Sequence, residues 1–126
     1  MERRIIETKN APAAIGPYSQ GIAAGGLVFF SGQIAIDPRS GETVSGGVTE
    51  QARRVLKNIA ALLESQNMTA QNVVKTTVYL TDMNDFAALN AVYAEFFGVN
   101  PPARSCVGVA SLPKGALVEI EITAAK

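Results

Sequence analysis

The hydrophobic positions change period several times along the chain, and each change marks an element. Residues 3–8 carry Ile5 and Ile6 in a short strand-like run. The segment Asn10-Ala-Pro-Ala-Ala-Ile-Gly-Pro-Tyr18 cannot be regular, because Pro12, Gly16 and Pro17 interrupt it, and an ordered loop is expected. Ser19–Ala24 and Leu27–Ile36 read as strands joined at Gly25-Gly26, a dipeptide suited to the positive φ angles of a tight hairpin. The second strand is apolar on both parities, with Leu27, Phe29 and Ala35 on one and Val28, Phe30, Ile34 and Ile36 on the other. Such a strand is covered on both faces. After a turn at Asp37-Pro-Arg-Ser-Gly41 and the pair Gly46-Gly47, the period becomes helical. Ala52, Val55, Leu56, Ile59, Leu62 and Leu63 recur every three or four residues, which predicts an amphipathic helix over about 49–66.

Val73–Thr81 returns to alternation, with Val74, Val78 and Leu80 on one parity and Lys75, Thr77 and Tyr79 on the other. Asp82 then suits the cap of a second helix, whose stripe of Phe86, Leu89, Tyr93, Phe96 and Phe97 ends at Gly98 ahead of Pro101-Pro102. The tail reads as a hairpin of Arg104–Ala110 and Ala116–Ala124 around Ser111–Gly115. Matching its apolar sides sets Val107 against Val118, Cys106 against Glu119 and Arg104 against Glu121. Arg104, Cys106, Glu119 and Glu121 are thereby expected on one face. The order is βββαβαββ, an α+β fold with a mixed six-stranded sheet and two helices on one face.

At 126 residues there is room for one domain, 1–126, and no repeat or linker divides it. The chain has no histidine, which excludes Ser-His-Asp and Cys-His machinery and histidine-ligated zinc. Cys106 is the single cysteine, so no internal disulfide or cysteine metal cluster can form. Eleven Lys+Arg balance eleven Asp+Glu without a basic run, which argues against nucleic acid or an anionic membrane as partner. No apolar stretch approaches the ~18–20 residues of a membrane span, and the start meets charge again before a signal-like region develops, so a cytoplasmic protein is expected. Charged residues are 17% of the chain, below the ~25% of ordinary globular proteins, which fits surface buried between subunits.

Five segments are recognisable together: Ala11-Pro-Ala-Ala-Ile-Gly-Pro-Tyr18-Ser-Gln20, Ser31-Gly-Gln33, Val74-Lys-Thr-Thr-Val-Tyr79, Asn90-Ala-Val-Tyr93 with Phe96-Phe97, and Pro102-Ala-Arg-Ser-Cys106 followed by Val118-Glu-Ile-Glu121. Over essentially its whole length the chain resembles the Rid (YjgF) family of reactive enamine/imine deaminases. The resemblance implies a chorismate-mutase-like protomer and a homotrimer with pockets at subunit interfaces. It also implies hydrolysis of 2-iminopropanoate, the tautomer of 2-aminoacrylate, and of 2-iminobutanoate to 2-oxo acids and ammonia, with no cofactor and no metal.

By the same resemblance Arg104 holds the substrate carboxylate, a role suited to a planar guanidinium fork. Read from the residues alone, it is equally a strand salt bridge to Glu119 or Glu121. Glu119 matches the family glutamate that positions or activates water. Tyr18 and Ser31 match pocket hydroxyls. Cys106, Gly32 and Asn90 match substrate-binding positions, with Cys106 expected to act through main chain and shape rather than as a nucleophile. The connection Gly98-Val-Asn-Pro-Pro102 is short beside many relatives and carries Pro101 where an aromatic residue is common, a departure at the pocket rim. Competing readings are a non-catalytic 2-oxo-acid-binding sensor, a ribonuclease, which zero net charge disfavours, and a chorismate mutase, which needs more cationic groups for a dianion.

Overall fold

A computed structural model describes residues 2–126. The elements follow in the expected order: β1 (Arg3–Ile6), β2 (Gly21–Ala24), β3 (Leu27–Gln33), α1 (Val48–Glu64), β4 (Val73–Leu80), α2 (Phe86–Phe97), β5 (Ala103–Gly108) and β6 (Val118–Ala125). The strands form one mixed sheet in the order β1-β2-β3-β6-β4-β5. Both helices lie on one face, and the other face is open. Among the described residues no helix is long and apolar enough to cross a membrane.

Helix α1 forms because its apolar period buries Ala52, Val55, Leu56, Ile59, Leu62 and Leu63 against the sheet. Its first turn is fastened by Glu50, whose carboxylate accepts the Gly47 N–H at 2.7 Å. It stops at Glu64, two residues short of expectation, where the Ser65 hydroxyl donates to the Leu62 carbonyl at 2.6 Å and Asn67 turns left-handed at φ 58°. Asp82 caps a short 3₁₀ turn, Met83–Asp85, by accepting the Asn84 N–H at 2.9 Å, and α2 begins directly behind it. The helix ends as expected at Gly98 (φ 61°), and its buried side is Leu89, Val92, Tyr93 and Phe97.

The expected tail hairpin does not form. Strand β6 lies between β3 and β4, antiparallel to both, and β5 runs parallel to β4 on the far edge. Composition accounts for this: Val118, Ile120, Ile122 and Ala124 make β6 the strand best able to be central, and all four are buried. Strand β5 offers Arg104, Ser105 and Cys106, which suit an edge. Fully burying an aliphatic side chain contributes about 1.5–3 kcal/mol, so the inner row of β6 decides the strand order.

Two local irregularities shape the open face. A register shift between Val73 and Lys75 turns Val74 outward, 46% exposed, and brings Thr76 into the buried row with Val78 and Leu80. A second shift lies between Phe30 and Gln33. Beyond it β3 ends, short of the expected Ile36, because the fully buried Asn58 of α1 donates to the carbonyls of Ile34 (3.4 Å) and Ile36 (2.9 Å). The two-sided apolar character of β3 is met on one side only within the chain: Val28 and Phe30 are buried, whereas Leu27 and Phe29 are 39% and 46% exposed.

Candidate functional site

On the open face, Tyr18, Ser31, Gly32 and Glu119 line one cleft of about 720 Å³, together with Ile15, Ile34 and Lys114. Each wall is held by a buried amide. Gln20 accepts the Thr8 N–H at 2.7 Å and donates to the carbonyls of Thr8, Ala11 and Pro12, which fixes the irregular segment carrying Ile15 and Tyr18. Asn58 fixes the 34–36 wall, and Gln51 accepts the Leu117 N–H at 2.9 Å at the entrance to β6. Ser31 sits at the register shift, with its hydroxyl donated to the Ser19 carbonyl at 2.6 Å, so only its lone pairs face an incoming group. Tyr18 is 52% exposed, and its hydroxyl has no hydrogen-bond partner among the described residues.

Glu119 stands over Gly32 so closely that a Cβ there would overlap its carboxylate. The half-buried group receives no hydrogen bond from any described residue. Burial pushes its pKa above the ordinary value of 4.5, and the charge of Glu121 adds to the shift. Tyr79 lies directly across from Glu119 and donates to Glu121 at 3.0 Å, a bond that, ahead of burial, raises the phenol's pKa.

Arg104 lies on the other side of the sheet. Parallel pairing sets it beside the buried Thr76, and Cys106 beside the buried Val78, so both face the helices. The expected shared face of Arg104, Cys106, Glu119 and Glu121 is therefore corrected: β5 and β6 are not neighbours, and β4 lies between them with opposite parities meeting the two groups. The salt-bridge reading of Arg104 falls with it. Its guanidinium instead donates to Asn90 Oδ1 at 2.7 Å and lies 4.7 Å from the Tyr93 ring centroid and 5.5 Å from that of Phe86. Tyr93 is itself held through a 2.8 Å bond between its hydroxyl and that of Thr76. Burial pushes the Cys106 thiol up, against a smaller opposite effect of Arg104, which leaves it a poor thiolate nucleophile.

Tyr18, Ser31, Gly32 and Glu119 thus come together in one cleft, Arg104 and Asn90 come together against α2, and the two groups point away from each other. Sequence reasoning overlooked Tyr79, Tyr93 and Gln20 as supports of these groups. Tyr79 stood in plain view on the parity of Lys75 and Thr77, but its partner depends on β4 meeting β6, which the hairpin reading hid. Among the described residues no three Cys, Asp or Glu side chains cluster in a way that could hold a metal ion.

The sequence profile of the endoribonuclease L-PSP family matches residues 8–126. A RutC family protein of Pyrococcus horikoshii is 54% identical over 98% of this chain and 98% of its own. The human protein named 2-iminobutanoate/2-iminopropanoate deaminase is 50% identical over 97% of this chain and 89% of its own. The crystal structure of Escherichia coli TdcF with bound serine superposes with a TM-score of 0.93 at 46% identity, covering 98% of both chains.

Proposed function

The chain belongs to the endoribonuclease L-PSP family, the Rid (YjgF) proteins, and from that premise we propose that it hydrolyses 2-iminopropanoate and 2-iminobutanoate to 2-oxo acids and ammonia. The observation that carries the reading is the half identity, over nearly the whole chain, with a protein named for that reaction.

In this reading water adds to the imine carbon, and the C=N π pair moves to nitrogen, which takes a proton. The carbinolamine oxygen then gives up its proton, C=O forms, the C–N bond breaks and ammonia leaves. Glu119 accepts the proton of the attacking water and returns one to nitrogen, a task suited to a carboxyl group whose burial makes it hold a proton more readily. Tyr18 and Ser31 orient the water, and Gly32 leaves room for the Glu119 carboxylate above it. Arg104 anchors the substrate carboxylate, with Asn90 and Tyr93 fixing its fork and Cys106 shaping the floor.

Arg104 and Glu119 of one copy face opposite ways, so the working site takes Glu119 from one copy and Arg104 from the next, in a homotrimer with three interfacial sites. The apolar side chains left uncovered on the open face, Leu27, Phe29 and Val107, with Ile15 and Tyr18 at its cleft, support burial of that face by another copy. The test generates the imine in situ with a dehydratase and follows 2-oxo acid and ammonia, with mass measured on the same sample. Faster release by an oligomer is expected. No acceleration at equal dehydratase flux, with 2-oxo acid still bound, gives the binding-protein reading instead. The family's description also names an endoribonuclease, but a chain with zero net charge lacks the phosphate-neutralising excess that RNA binding draws on.

A further inference from the structure

Glu119 is surrounded by few charged groups, and their arrangement is specific. From β6 comes Glu121, two residues along the strand on the same face, about 7 Å away along the backbone. From β4 come Tyr79, directly opposite Glu119, and Lys75 farther along, whose ammonium donates to Ser105 Oγ at 3.3 Å. Strand β3 and the open-face positions of β5 bring no ionisable side chain. Tyr18 and the exposed Lys114 line the cleft from their loops. The 37–41 turn lines it through Pro38 and Gly41, with its charges Arg39 and Asp37 paired to each other at 3.7 Å. In the proposed trimer Arg104 of the neighbouring copy joins them.

Within this set one contact has no place in the reaction derived above. The Tyr79 hydroxyl donates to Glu121 Oε1 at 3.0 Å, which ties the second carboxylate to the strand that faces Glu119. A solvated glutamate would turn away from a like charge. This one is held where it is by a donor that spans from β4 to β6.

We propose that Glu121, clamped by the Tyr79 hydroxyl, is a positioning residue for Glu119: it keeps a fixed second carboxylate on the same face of β6 and so sets the field in which the acid–base group exchanges its proton. A fixed negative charge nearby makes a carboxylate easier to protonate, and hydrogen bonds donated to a carboxylate make it harder. Both carboxylates line the cleft, but Glu121 has the Tyr79 donor and Glu119 has none among the described residues, which leaves Glu119 the one free to take up a proton. A carboxylate that takes up the water's proton more readily holds it for the nitrogen that departs as ammonia, a step that rests on the deaminase reading.

The experiment titrates Glu119 directly in the full-length protein, with ¹³C-labelled glutamate carboxyls and the Glu119 signal assigned by its loss in Glu119→Gln. Glu121→Gln removes the second charge while keeping shape, and Tyr79→Phe removes the clamp while keeping the ring. The Glu119 midpoint is expected to move to lower pH in Glu121→Gln, and in the same direction by less in Tyr79→Phe. A Glu119 with a lower midpoint takes up the water's proton less readily, so kcat at a fixed pH above the midpoint falls with it. The neighbouring Arg104 is common to all samples and cancels in the comparison. An unmoved midpoint in either folded variant overturns the proposal. A moved midpoint in a protein with no imine turnover upholds the pair and refutes the deaminase reading, so the two failures are distinct.

Discussion

Gly32 offers a substitution whose effects on fold and on chemistry separate. Its φ is not positive, so alanine adopts the backbone without strain, and replacing glycine in a strand gains up to about 1 kcal/mol of stability. The added Cβ overlaps the Glu119 carboxylate and comes to 2.9 Å from its Cδ and 3.3 Å from its Cγ. These atoms are the far end of a side chain with three rotatable bonds, so the carboxylate yields and the backbone does not. For a chain of this length 1 kcal/mol corresponds to roughly 3–6 °C, and the melting temperature of Gly32→Ala is expected within a few degrees of wild type.

Catalysis has no such freedom. A displacement of about 1 Å in a reacting group costs on the order of 100-fold, so kcat should fall by about that factor. The assay follows ammonia release from imine generated in situ, for Gly32→Ala, Glu119→Gln and the double variant. Because both substitutions act through the same carboxylate, the double variant should be no slower than Glu119→Gln alone. Unchanged kcat in a folded Gly32→Ala would refute the placement of Glu119 in the chemistry. A melting temperature lowered by more than about 10 °C would refute the claim that the side chain gives way.

Two further outcomes follow from the same geometry. Arg104→Lys keeps the charge but loses the fork that Asn90 and Tyr93 orient; with a charged hydrogen bond contributing about 1.5–3 kcal/mol, kcat/KM should drop by about 10- to 150-fold at nearly unchanged melting temperature, and unchanged kinetics would remove Arg104 as carboxylate anchor. The Glu119 carboxyl has a folded pKa above its ordinary 4.5, so the folded chain binds this proton more tightly than the unfolded one and stability falls as pH rises from that value through the folded one. Glu119→Gln lacks this loss, so its melting temperature should gain on wild type across the window, and a constant difference would contradict the burial assigned to the group.

Helix α1 was legible because one amphipathic period ran through it unbroken, and the inner row of β6 because Val118, Ile120 and Ile122 alternate with charge. The partner of β6 was not legible. Alternation says which side chains share a face but not which strand lies beside them, and chain neighbours β5 and β6 are joined by the long segment 109–117, beyond the usual 2–5 residues of a hairpin. Two irregularities were equally hidden: the shift at Val74 turns one of three like-parity apolar residues outward, and β3 stops before Ile36 where Asn58, twenty-two residues farther on, takes carbonyls the ladder would have used. At the site, the family motifs singled out Arg104 and Glu119, but not that one chain holds them apart.

That separation yields a test that no single substitution provides. A side chain cannot pass through its own sheet, so if both groups serve one reaction, each site draws them from two copies. In a closed ring every interface joins the Arg104 side of one copy to the Glu119 cleft of the next, a heterologous contact that repeats until the ring closes. Arg104→Ala and Glu119→Gln are each expected to be nearly inactive alone. Mixed in equal amounts, unfolded and reassembled together, they form interfaces at random. An interface is intact when the copy giving Arg104 carries only the Glu119 change and the copy giving Glu119 carries only the Arg104 change, which occurs in about one quarter of interfaces. About a quarter of wild-type activity should therefore return, while mixing without reassembly should restore none. If co-assembled rings of verified mixed composition stay as inactive as their parents, the site is not shared between copies, and Arg104 has no part in the chemistry of the Glu119 cleft.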